Sequence, residues 1–147
     1  MTGFRKTYKM TQHPPAAMAW ESYESSALRQ CAALLRDRTT EEDAIQRFLE
    51  RNPAFVPGAF SFPVSGHGPI FGGVIAKPPL VGGAIRIPDF MWLATSSDTI
   101  YPVLVELETP SKRWFTDTGR PTAQWTAARG QLVEWKAWFS KPANVQL

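Results

Sequence analysis

The sequence predicts an α/β domain, a small mixed β-sheet flanked by helices. Three observations carry that expectation. Stretches near both ends of the chain repeat apolar residues at helical spacing. Between them, residues 87–110 read IPDFMWLATSSDTIYPVLVELETP, two apolar runs about a polar turn, the pattern of a β-hairpin. The intervening residues 54–86 are broken by glycine and proline (PGAF, SGHGP, FGG, KPPL, VGG) into pieces that suit only short strands.

Residues 1–15 read as a flexible basic arm carrying Arg5, Lys6 and Lys9 and closed by Pro14 and Pro15. Residues 16–147 then form a single domain, as a chain of 147 residues allows. A first helix is expected over residues 16–37, with Leu28, Cys31, Leu34 and Leu35 on one buried face. A second begins at Thr39-Thr40. There Thr39 and Glu42 have the spacing of a capping box, in which each side chain satisfies a free amide of the first turn. Ile45, Phe48 and Leu49 are its apolar stripe, and Asn52-Pro53 ends it, because a residue before proline avoids the helical region. Phe60–Phe62 and Gly73–Ala76 are candidate strands. The last helix starts with Pro121 in its first turn and runs to about Phe139 on Trp125, Ala128, Leu132, Trp135 and Phe139. Gly130 lies inside it, where glycine costs roughly 1 kcal/mol against alanine, and a close backbone contact would explain its presence.

Composition narrows the function classes. Formal net charge is +3 with a pI near 9.2, mildly basic and compatible with a nucleic-acid partner. The single Cys31 excludes an internal disulfide and reads as core packing, which suits a cytoplasmic protein. The apolar runs fall short of the ~20 residues of a membrane-spanning helix. His13 and His67 have no cysteine or histidine at zinc-ligand spacing. None of the glycine clusters is followed by the lysine-serine/threonine pair of a nucleotide-binding loop.

The hairpin holds the chemistry. Strand side chains alternate faces, so Glu106 and Glu108 share one. A turn centred on Ser97-Asp98 sets Asp89 opposite Glu106, with Cβ atoms about 4.5–5.5 Å apart. Carboxylates that close repel one another unless a cation lies between them. Oxygen donors without histidine suit Mg²⁺, Mn²⁺ or Ca²⁺, which points to metal-assisted chemistry on phosphate.

Four motifs in order, EEDAIQRFLERNP, IPDF, VLVELETP and GRPTAQWTAARGQLVEWKAWF, span about residues 40–139. Together they resemble the C-terminal domain of the Shedu anti-phage defence proteins, within the PD-(D/E)xK nuclease superfamily. The resemblance implies a restriction-endonuclease-like core and a metal-dependent nuclease that hydrolyses phosphodiesters, using Mg²⁺ or Mn²⁺ on nucleic acid, DNA foremost. By position, Asp89 and Glu106 would bind the metal, and Leu107 would offer its backbone carbonyl. Glu42 would be an additional acid, and Gln131 would orient water or DNA. The chain departs from the pattern where Glu108 stands in place of the usual lysine. Lys112 could supply the missing ammonium, or Glu108 could bind a second metal. The alternative is an inactive nucleic-acid-binding or assembly module of the same fold. A homo-oligomer is compatible with either reading.

Overall fold

The computed structural model describes residues 18–57, 69–80, 86–95 and 99–141. The expected basic arm, the Phe60–Phe62 strand, both histidines and the Ser97-Asp98 turn lie outside them. The element order is helix α1 (Trp20–Arg36), helix α2 (Glu42–Arg51), strands β1 (Pro69–Ala76), β2 (Phe90–Thr95) and β3 (Ile100–Val105), and helix α3 (Ala123–Phe139). The α/β class is therefore as the sequence predicts. The sheet is not mixed: among the described residues it has three strands in the order β1-β2-β3, every pair antiparallel.

Alternation along the strands builds the core. Phe90, Trp92 and Ala94 of β2 point to one face, with Val105 opposite Phe90. Onto this face α2 lays Ile45, Phe48 and Leu49, joined by Val56. Cys31 and Leu34 of α1 pack at the margin of the same cluster. Pro102 lies in β3, an edge strand of the described sheet, where a residue without an amide hydrogen interrupts no ladder.

Three local expectations need correction. The buried face of α1 is not the predicted leucine stripe: Leu28 and Leu35 are exposed, whereas Ala27 is buried. The face is turned so that Ala27, Cys31 and Leu34 look inward at spacings of four and three. The capping box at Thr39 does not form. Asp37 takes both the Thr39 amide (2.8 Å) and its hydroxyl (2.7 Å), so Thr39 is spent on a turn and α2 begins at Glu42 without a side-chain cap. At the last helix, Pro121 lies outside, bridged to Phe115. Thr122 is the cap, its hydroxyl accepting the Trp125 amide at 3.2 Å. Leu132 of the expected stripe is exposed, while Ala128 and Trp135 are buried. Gly130 has no close neighbour: a Cβ built there meets nothing within 4 Å.

Candidate metal and phosphate site

The register of the sheet composes the site. Pairing of β2 with β3 runs from Thr95↔Ile100 to Phe90↔Val105, so the next residues in line are Asp89 and Glu106. Pairing of β1 with β2 ends at Ala76↔Phe90, so the next in line are Lys77 and Asp89. Lys77, Asp89 and Glu106 thus form one row across the end of the sheet.

Asp89 is 3% exposed and fully engaged. One carboxylate oxygen accepts from the Lys77 ammonium, and the other accepts from the Leu107 amide at 2.7 Å. The Lys77 amide also donates to the Asp89 carbonyl at 2.8 Å. Lys77 has φ 48°, a left-handed conformation unusual for a residue with a side chain. Two bonds to Asp89 and the Pro78-Pro79 that follow hold it there. Burial opposes its charge. The hydrogen bond to Asp89 and the charges of Asp89, Glu42 and Glu106 outweigh that, raising its pKa.

Glu106 is in the opposite condition. Gln131 of α3 donates to its Oε1 at 3.1 Å, while its Oε2 is buried with no partner. Burial, then the charges of Asp89, Glu42 and Glu108, push its pKa up to about 7, against a smaller pull from Lys77. The structure brings Glu42 near enough for its charge to act on Glu106, Lys77 and Lys112 alike. Glu108 is ion-paired with Lys112 and raises that lysine's pKa through their hydrogen bond. Lys112 is therefore engaged beside the site, at the residue whose place it was expected to fill.

A cleft of about 390 Å³ opens at this end, with Val103, Val105, Glu106 and Glu108 on one wall and Trp125, Ala128 and Leu132 on the other. Trp114 closes one side, edge-on to Trp125 at 5.8 Å between ring centroids. Arg86 ties α3 to the loop before β2 through Glu134 at 2.7 Å.

An orphaned carboxylate oxygen among like charges is the chemistry of a hard-cation site. The ligand set is not assembled as it stands: among the described residues no three carboxylate, histidine or cysteine side chains group at metal-binding distance. Asp89 is spent on Lys77 and the Leu107 amide, which leaves Glu106 as the open donor. The residue that sequence reasoning missed is Lys77. The signal for it was the lysine closing β1 immediately before Pro78-Pro79, readable only once the strand register is known.

Residues 39–147 match the family described as Shedu protein SduA, C-terminal. No curated protein and no solved structure matches the chain.

Proposed function

The chain belongs to the Shedu SduA C-terminal family, a family that points to anti-phage defence, and from that premise we propose that it is a metal-dependent nuclease. The observation that carries the proposal is Glu106. Its carboxylate has an open buried oxygen and an elevated pKa, beside Asp89 at the end of a hairpin. In this reading the core is restriction-endonuclease-like. Asp89 and Glu106 would hold Mg²⁺ or Mn²⁺ with the Leu107 carbonyl, and Glu108 stands next to them. The ion would supply a water of lowered pKa and neutralise charge on the phosphate.

The remaining work belongs to the chain's own side chains. In the hydrolysis, the water oxygen bonds to phosphorus and one P–O ester bond breaks. The leaving oxygen takes up a proton, giving a phosphomonoester and a hydroxyl. Gln131 holds Glu106 in place from α3. Glu42 adds negative charge that strengthens cation binding. The cleft between β3 and α3 is where a nucleic-acid strand would lie, DNA foremost.

One observation favours a second reading, a non-catalytic nucleic-acid-binding module. Glu108, where the family pattern has lysine, is tied to Lys112, so that position offers no free ammonium. Incubation of the protein with plasmid, linear and single-stranded DNA in Mg²⁺ or Mn²⁺ separates the two. Cleavage of any of the three supports the nuclease. Binding of equal strength in chelator, with no cleavage under either metal, supports the binding module.

A further inference from the structure

We propose that Lys77, at the end of β1, is the lysine of this site, its ammonium contacting the substrate phosphate in place of the lysine that Glu108 displaces. The inference rests on the nuclease reading and deepens it.

The charges of four acids, Glu42, Asp89, Glu106 and Glu108, bear on this end of the sheet, and a polyanion must approach them. Lys112 is taken by Glu108. Lys77 is the ammonium in line with Asp89 and Glu106 across the sheet. Its position is built rather than incidental. A strained left-handed backbone and a hydrogen bond from the Lys77 amide to the Asp89 carbonyl fix where its side chain starts. The Lys77 side chain is 45% exposed, whereas Asp89, its partner, is at 5%. Lys77 is therefore the more accessible member of the pair. The usual pattern places acid and amine two residues apart on one strand. Here the ammonium comes instead from the end of β1, beside Asp89 at the start of β2 and two strands from Glu106 of the same row.

While Lys77 is bonded to Asp89, it competes with any cation for that carboxylate. A phosphate oxygen gives the ammonium another acceptor and leaves Asp89 free to bind metal. The same residue therefore restrains metal binding in the free protein and supports the phosphate in the complex.

The test compares Lys77→Met, Lys77→Arg and Lys112→Met with the wild type. The readouts are plasmid cleavage in Mg²⁺, Mn²⁺ affinity without DNA by electron paramagnetic resonance, and thermal unfolding. Lys77→Met should lose about 100-fold or more in cleavage rate, the size expected for a preorganised charge at the transition state. Lys77→Arg should recover part of that loss. Lys112→Met should lose less than Lys77→Met, because the Lys112 ammonium is already taken by Glu108. The Mn²⁺ affinity of Lys77→Met should be unchanged or tighter, because an internal competitor has been removed. A merely structural lysine would instead lower Mn²⁺ affinity and activity together, and that result overturns the proposal. If the wild type cleaves and Lys77→Met cleaves equally well, this proposal fails and the nuclease reading stands. If the wild type cleaves under no metal, the nuclease reading fails and takes this inference with it.

Discussion

Asp89 and Glu106 are neighbours with opposite needs. Asp89 is buried and fully hydrogen-bonded; removing its carboxylate leaves the Lys77 ammonium and the Leu107 amide without their acceptor. Asp89→Ala should therefore destabilise the metal-free protein by about 1–3 kcal/mol, read as a lower denaturant midpoint. From the sequence alone, relief of repulsion would favour the opposite sign; the satisfied hydrogen bonds reverse it. Glu106 is the strained member. Its pKa is raised to about 7, so between the ordinary carboxylate range and that value the folded state holds a proton that the unfolded state has released. Stability in chelator should accordingly fall as pH rises from about 5 to about 8. Glu106→Gln should flatten that slope in denaturant titrations; a slope unchanged in the variant would place the titrating group elsewhere. Asp89 and Glu106 were legible in the sequence because the pairing of β2 with β3 sets them in line, whereas Glu108 lies beyond the end of β3 at Val105, where strand alternation no longer places it. Lys77 was not legible, because its partner is set by the pairing of β1, and glycine and proline blur that strand's ends.

At the scale of elements, α2 and the hairpin were legible and the helix faces only partly. Ile45, Phe48 and Leu49 are buried as their spacing predicts, since α2 sits on the sheet and has one inward side. For α1 and α3, periodicity permits more than one face, and leucines at Leu28, Leu35 and Leu132 remain exposed. What decides the face is which neighbour is present, a tertiary matter outside any local window. The Thr39 cap was misread for a similar reason: Asp37 is a stronger local acceptor for the same amide. Gly130 gives a clean test at this scale. It lies within α3 at φ below zero, and a Cβ there meets open space. Gly130→Ala should raise stability by about 1 kcal/mol, seen as an upward shift in Tm with the cleft unchanged. A loss of stability would mean that something packs against that position.

At the scale of the molecule, a layer of helix on one face of a small sheet fixes the hairpin, and α3 completes the acid-lined end through Gln131 and Glu134. Among the described residues no helix is long and apolar enough to cross a membrane. Family membership agrees with the motifs read from the sequence, over residues 39–147. The fold and the row of residues at the sheet's end follow from strand register. The chemistry depends on whether that row binds a metal and breaks a phosphodiester. The most direct measurement is plasmid cleavage by wild type, Asp89→Asn and Glu106→Gln in Mg²⁺, Mn²⁺ and chelator. The account predicts cleavage by the wild type with metal, none in chelator, and a loss of at least about 100-fold in either variant with its fold intact. Cleavage that persists in chelator, or that survives both substitutions, would contradict it.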